Sequence, residues 1–388
     1  MLYYFDYKLG KRVTGANLYY KRISEILKAY GQATPIKNFF GFISSGIKRL
    51  KPGDTLITNN GPYAFIFHYL RKFLGLRFRI VRDVQATLHT SYLFQELACA
   101  DLIQPDDVAL FPSNYTRNLY IKLFEHLTAE NTFVCYPCIE SFPKLKPKPK
   151  PRELVIGYLG RCSYEKNFHQ LLNIAPKLRH RILAVGELSL PITSLPSNLV
   201  LLGELPYHRI WDFLQQISVL VFPSTANIES LGRVLLEANH AGVPCVASEF
   251  GASPELCPNL VGVSYTSQEV ELVHNHPLGL VDEAALLQLL SKNRLKLGSN
   301  TGYLNHDKKL MKILNSSQKE EPLAELNPRV AEFVNKTKIY INQEYNYSTI
   351  DAIRAYIALL KKEDITDIGI TTHNISEQLG FTPKWKLC

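Results

Sequence analysis

From residue 154 onward, short apolar runs alternate with helical patterns. "LVIGYLG" (154–160), "RILAVGE" (181–187), "LVLLGEL" (199–205), "SVLVFPS" (218–224) and "GVPCVAS" (242–248) are apolar stretches punctuated by Gly, Pro or Ser. Runs of this kind suit strands buried on both faces of a parallel sheet. Between them, "KNFHQLLNIAPKLR" (166–179) and the stretches 207–216 and 230–241 read as helices. In the last of these, Leu231, Val234, Leu235 and Ala238 fall at i, i+3, i+4 and i+7, with Gly242 and Pro244 as stop signals. Strand-helix alternation with short links predicts an open parallel sheet covered by helices on both faces.

The first half repeats the rhythm more weakly. "TLITNNG" (55–61), "FRIVRDV" (78–84) and "DVALFPS" (107–113) read as strands, and "GANLYYKRISEILKAYG" (15–31) as an early helix. The segment "FPKLKPKPKPRE" (142–153) alternates Lys and Pro, which suits neither helix nor sheet and predicts an extended hinge. The expected architecture is therefore α/β, with two similar domains joined by a hinge. Ligands of such sheets bind beyond the carboxyl ends of the strands, here in a cleft between the domains. Residues 290–325 are polar and read as loop or mobile helices. "NYSTIDAIRAYIALLKK" (346–362) reads as a helix with Ser348 as N-cap and Asp351 as its N3 carboxylate. The tail 363–388 carries no readable signal.

The 388 residues are 46% hydrophobic and 20% charged, enough for two ordinary domains and unlike a disordered chain. No apolar run reaches the roughly 20 residues that span a bilayer. "MLYYFDYKLGKR" lacks signal-peptide order, so a cytoplasmic protein is expected. Seven scattered cysteines, Cys135 and Cys138 among them as C-x-x-C, are read as reduced thiols. A formal charge of +9 favours phosphate-bearing partners without choosing among them.

The candidate chemistry is concentrated in "VLVFPSTANIESLGRVLLEANHAGVPCVAS" (219–248). A helix starting near Ser230 would offer free N–H groups and a positive dipole end to an anion, and Gly232 would let a ligand approach the backbone. Glu229 would lie beside a diphosphate held there. Glu237, two turns further, would lie roughly 12 Å away, the span of a nucleotide sugar with a diol at each end. In "GYLGRCSYEKN" (157–167), Arg161 and Lys166 follow a strand-ending Gly160, and two cations there would neutralise a diphosphate leaving group.

These residues resemble the retaining, metal-independent glycosyltransferases called family four, with the GT-B fold. The resemblance lies in the Glu, seven residues, Glu spacing of Glu229 and Glu237, in "GASPEL" (251–256), in "GRCSYEKN", and in "AVGE" (184–187) and "LLGEL" (201–205) as base-binding loops. It extends more thinly through "ALFPSNYTRNLY" and "CYPCIESF" in the first half. It implies two Rossmann-like parallel-sheet domains facing a cleft. The first domain, 1–145, takes the acceptor side and the second, 146–345, the nucleotide sugar; residues 346–388 form a returning helix plus tail. It implies catalytic or diphosphate roles for Arg161 and Lys166, sugar hydroxyls on Glu229, and phosphate on the backbone of Ser230, Leu231, Gly232 and Arg233. Glu237 would hold ribose, and Gly15, Gly160, Gly186 and Glu187 would lie close to the donor. The family pattern has a His after the strand that "FRIVRDV" resembles. Here Arg82-Asp83 stand there and His89 follows in "QATLHT", so Asp83, Arg82 and His89 are all candidates for that place.

The implied reaction moves a sugar from a nucleoside diphosphate donor, UDP- or GDP-linked, to a hydroxyl acceptor in polysaccharide, glycolipid or glycoconjugate synthesis. No separate cofactor, metal or nucleic acid is expected, and no Asp-x-Asp pair is present. An epimerase or phosphorylase on the same fold, or a non-catalytic nucleotide-sugar binder, is the alternative. "YAFIFHYLRKFLGLRFR" (63–79), with Arg71, Lys72, Arg77 and Arg79, is either a core helix with a basic solvent face or a peripheral contact with the inner face of a membrane.

Overall fold

Two parallel sheets of six strands each carry the chain in the computed structural model. It describes residues 1–7, 15–59, 62–85, 87, 96, 99–137, 153–265, 268, 270–271, 277–291, 295–315, 320–338, 355 and 358. The first sheet contains β1 (Leu2–Phe5), β2 (Ala33–Ile36), β3 (Thr55–Asn59), β4 (Arg79–Asp83), β5 (Val108–Phe111) and β6 (Thr132–Val134), in the order β2-β1-β3-β4-β5-β6. Every residue of β4 and β5 is buried, as expected of central parallel strands. Helix α1 (Gly15–Tyr30) lays Tyr19, Ile23, Ile26 and Leu27 on one face of the sheet, against Tyr4, Ile57 and Val81. Helix α2 (Pro62–Phe73) covers the other face with Phe65, Ile66 and Leu70. Helix α3 (Asn114–Leu123) begins just beyond β5, with Ser113 as its N-cap.

The second sheet is built from β7 (Val155–Leu159), β8 (Arg181–Val185), β9 (Leu199–Leu201), β10 (Val219–Phe222), β11 (Cys245–Ser248) and β12 (Leu260–Val261). Its order is β12-β11-β10-β7-β8-β9. That is the doubly wound Rossmann order, with the reversal between β7 and β10. Helices α4 (Phe168–Ile174), α5 (Arg233–His240) and α6 (Glu283–Leu290) pack around it. The apolar runs in the sequence all became strands here, each a residue or more shorter than its run. An antiparallel pair, Val263–Tyr265 with Gly279–Val281, extends this domain beyond the strands legible in the sequence.

The polar stretch 290–325 is more ordered than its composition suggests. Helix α7 (His306–Leu314) crosses to the first domain and buries Leu310, Ile313 and Leu314 among Leu2, Tyr4 and Ile23. Arg79 holds its end by donating to the carbonyls of Ile313 and Leu314, each 3.1 Å away. Helix α8 (Pro328–Lys336) joins an apolar cluster shared by both domains, in which Phe333 meets Tyr115 and Phe250. Of the expected helix at 346–362, Ala355 and Ala358 are described; both are helical, and Ala355 packs in the core of the first domain. The hinge before Glu153 and the tail after 358 lie outside the described residues.

The basic face expected for 63–79 is half internal. Arg71 is buried and donates to Asp107 Oδ1 at 2.7 Å and Oδ2 at 2.6 Å, and to the carbonyls of Phe78 and Leu102. Arg79 is buried as well, which leaves Lys72 and Arg77 of that set in solvent. A buried carboxylate stripped of its guanidinium is an uncompensated charge. Arg71→Ala is therefore expected to cost roughly 3–5 kcal/mol in chemical denaturation. A loss under about 1 kcal/mol would mean that water reaches Asp107.

Candidate functional site

The switch point between β7 and β10 gathers most of the residues singled out in the sequence. Strand β7 ends at Leu159, and Gly160 (φ +145°) turns the chain toward Arg161. On the neighbouring strand β8, Gly186 (φ +146°) is required by close packing, since a Cβ there would sit 1.8 Å from the Gly160 carbonyl oxygen. Gly186 thus serves strand-end packing, while at Gly160 it is the positive φ that favours glycine. Glu187 and Arg161 are exposed beside them, and Arg161 lies 3.3 Å from Glu165.

Lys166 and Glu229 form an ion pair across the switch point, their side chains 16% and 19% exposed. The second Glu229 oxygen, Oε1, accepts the Gly232 N–H at 2.9 Å. Asn167, unremarked in the sequence, follows Lys166 and anchors its loop. It adopts the left-handed conformation (φ +55°), which Asn tolerates better than most residues. Its side-chain amide donates to Pro223 O, Thr225 Oγ1 and Gly279 O, pinning the loop to the end of β10. The signal available in advance was an Asn directly after the cation in "YEKN".

Helix α5 begins at Arg233, three residues later than the start near Ser230 read from the pattern. Gly232 is left-handed (φ +83°) and its N–H is taken by Glu229, so residues 229–232 form a separate turn before the helix. Leu231 points into the core. Ser230 faces the first domain instead, where its hydroxyl donates to the Gln85 carbonyl at 2.8 Å. Glu237 is 3% exposed and accepts from Arg233 Nε at 2.8 Å and from Tyr207 OH at 3.3 Å. Arg233 also donates to Tyr207 OH at 2.8 Å and lies 5.2 Å from the centre of its ring. Burial raises the Glu237 carboxyl, and the Arg233 charge offsets part of that rise. Tyr207 was not foreseen, because nothing in "LPYHRI" marks it.

On the first-domain side, Arg82 and Asp83 occupy opposite faces of β4. Arg82 is buried against Phe65 and donates to Glu96 Oε2 at 2.6 Å, away from the cleft. Burial pushes the Glu96 carboxyl up, but Arg82 and His126 outweigh it and hold it down at about 2. Glu96, Cys99 and His126 place three potential metal ligands together. Arg82 already supplies the positive charge there, 3.5 Å from Cys99 Sγ, so the group is a closed ionic network. Asp83 ends β4 two residues before Gln85, which touches the Ser230 turn. It accepts from Gln85 Nε2 at 2.7 Å, and burial pushes its carboxyl up to about 7. Gly15 opens α1, and His89 lies outside the described residues.

Two Rossmann-like domains, the second with a cation-bearing switch point in its sheet, match the GT-B class of fold. The apo form of the lipopolysaccharide outer core galactosyltransferase WaaB shares it, at TM-score 0.57 and 17% identity, covering 82% of this chain and all (100%) of that one. Residues 140–276, which contain the second sheet, match the family of glycosyl transferases group 1. A Klebsiella pneumoniae protein described as an uncharacterized 42.6 kDa protein in the cps region is 31% identical over 128 residues, 31% of this chain and 33% of that protein. Glycogen synthase of Mycobacterium tuberculosis is 29% identical over 161 residues, 38% of each chain. The chain therefore spans between a third and two fifths of the length of these curated relatives.

The raised Asp83 carboxyl has a consequence for pH. The folded protein keeps that proton up to about pH 7, whereas an unperturbed carboxyl loses it near 3.8. The stabilisation is complete below the lower value and is lost as pH rises through the higher one, with a slope of at most about 1.4 kcal/mol per pH unit. Denaturation of wild type and Asp83→Asn at several pH values is expected to show the wild type losing ground from about pH 5 to pH 7. A constant difference between the two would show an ordinary carboxyl.

Proposed function

We propose that the chain is a retaining, metal-independent glycosyltransferase that uses a nucleoside diphosphate sugar, UDP- or GDP-linked. The observation that supports this best is the Lys166–Glu229 ion pair at the switch point, with Arg161 exposed beside it. In the free protein each charge of the pair satisfies the other. A bound diphosphate would take Lys166 and Arg161, leaving Glu229 to accept from the sugar hydroxyls. The bond from the anomeric carbon to the diphosphate oxygen breaks with its electron pair on the diphosphate. The acceptor oxygen bonds to the same face of that carbon, and its proton passes to the departing phosphate oxygen. Arg161, Lys166 and the backbone of 230–233 stabilise the charge that develops. Glu237, oriented by Arg233 and Tyr207, is assigned to the ribose hydroxyls, and Asp83 to the reacting sugar.

The acceptor is a hydroxyl of a glycan, a lipid-linked sugar or a small molecule, in polysaccharide, glycolipid or glycoconjugate synthesis. The WaaB likeness and the Klebsiella relative's place in a cps region favour the glycan setting. No helix among the described residues is long and apolar enough to cross a membrane. A cytoplasmic protein touching the inner face of the membrane is the proposed location. Exposed Lys72 and Arg77, with Phe73 56% exposed between them in the chain, offer basic and apolar groups for that contact.

Thermal melting against UDP, GDP and their sugars tests the reading. A ligand at 100 times its Kd adds about 2.7 kcal/mol, a shift of several degrees. One diphosphate is expected to raise the melting temperature of wild type and to do so less in Glu237→Gln. One nucleotide sugar is expected to add a further shift that Glu229→Ala abolishes. No shift from any of them would overturn the donor site. Turnover of the donor without an acceptor, to an epimer or a sugar phosphate, would favour the epimerase or phosphorylase alternative.

A further inference from the structure

Two stretches compared with the family pattern, "SNYTRNLY" (113–120) and "GASPEL" (251–256), have no part in the site as described. In the structure they meet across the domain boundary. Glu255, in the short helix Ser253–Leu256 of the second domain, accepts the Tyr115 N–H on Oε1 at 2.8 Å. Its Oε2 accepts the Asn114 N–H at 3.0 Å, the Asn114 side-chain amide at 3.1 Å and the Tyr136 hydroxyl at 2.6 Å. All of these donors belong to the first domain.

The first N–H groups of a helix have no partner within it. In α3, Asn114 and Tyr115 are satisfied by Glu255, and Thr116 by Ser113 Oγ at 3.1 Å. One carboxylate of the second domain therefore completes the helix start of the first. That start touches the proposed donor turn directly. The hydroxyls of Ser113 and Thr116 converge on the Ser230 carbonyl at 2.7 and 2.9 Å. A peptide unit is planar, with its C=O and N–H on opposite sides, so fixing the Ser230 carbonyl toward α3 turns the Leu231 N–H the other way. The loop before Glu255 lies against both partners. A Cβ on Gly251 would sit 3.5 Å from the Tyr115 ring and 3.8 Å from the Glu229 carbonyl oxygen.

We infer that Glu255 is a positioning residue for donor binding: it seats the start of α3, whose hydroxyls set the Ser230–Leu231 peptide in the turn that faces the diphosphate. This rests on the donor site proposed above. Burial raises the Glu255 carboxyl, and its four donors offset part of that rise, as expected for a carboxylate removed from water at a domain contact. Glu255→Gln keeps the shape but turns an NH2 group toward groups that are themselves donors. Thr116→Val removes one hydroxyl from Ser230 and leaves the Ser113 cap in place.

The experiment uses the full chain as wild type, Glu255→Gln, Thr116→Val and the double variant. Hydrogen exchange without ligand is read at the amides of 229–233 against those of 219–222, and UDP and GDP are titrated into each protein. Both single variants are expected to speed exchange in the turn while β10 is unchanged. Each is expected to weaken the preferred diphosphate roughly tenfold, the scale of one lost buried hydrogen bond. The double variant is expected to fall short of the product of the two, because both act through one peptide. Unchanged exchange in the turn, or fully multiplicative losses, would overturn the positioning role and leave Glu255 a plain staple between domains. If Glu255→Gln does not fold, unchanged exchange and affinity in Thr116→Val overturn it alone. If wild type binds neither UDP nor GDP, the donor reading fails, and the exchange data still decide whether Glu255 controls the turn.

Discussion

Everything in the second domain depends on one topological constraint. Parallel strands cannot be joined by tight turns, so each connection crosses a face of the sheet and returns. Where the strand order reverses, between β7 and β10, consecutive crossovers leave in opposite directions and open a crevice at the carboxyl ends. The chain emerging from β7 carries Arg161 and Lys166, and the chain emerging from β10 carries Glu229. Their meeting follows from strand order. The glycines around them serve the same geometry, since Gly186 leaves room for the Gly160 carbonyl and Gly232 turns the chain from the Glu229 loop into α5.

The charged groups follow from the cost of burying charge. A carboxylate taken from water needs donors or an opposite charge. Glu237 has Arg233 and Tyr207, Glu96 has Arg82 and His126, and Asp107 has Arg71 and backbone N–H groups. Asp83 has the Gln85 amide, and its carboxyl is pushed up to about 7. The Lys166–Glu229 pair differs in being partly open to solvent at a crevice, where an incoming anion can compete for the lysine. In the free protein the two charges satisfy each other while the lysine stays within reach of solvent.

The two domains are joined through side chains as well as chain continuity. Arg79 of the first sheet ends α7, Phe333 of α8 packs between Tyr115 and Phe250, and Glu255 completes α3. Ser230 is bonded to the first domain through both its hydroxyl and its carbonyl. The turn beside Glu229 is thus shaped by both domains, and a change in their relative position would be felt there first.

Period and punctuation in the sequence were enough for the strands of the second domain, because parallel strands buried on both faces read as unbroken apolar runs. They were also enough to single out Arg161, Lys166, Glu229 and Glu237, since the spacing between two charges is a local property. The helix start near Ser230 was misplaced because apolar periodicity continues through Leu231 while the backbone breaks at Gly232. The role of α7 was hidden because a helix with one buried face in a polar stretch gives a weak signal, and its partner surface lies some 300 residues earlier in the chain. The fate of a charged residue was least legible. Arg71 and Arg79 look like a solvent face until Asp107 and the end of α7 are brought to them. Glu255 likewise looks like one more acid on a short helix. The sequence alone determined the class of fold and which residues are candidates for the chemistry. The tertiary structure decided which charges are spent inside the protein and which remain for a ligand, because that depends on partners distant in the chain and on how much water burial excludes.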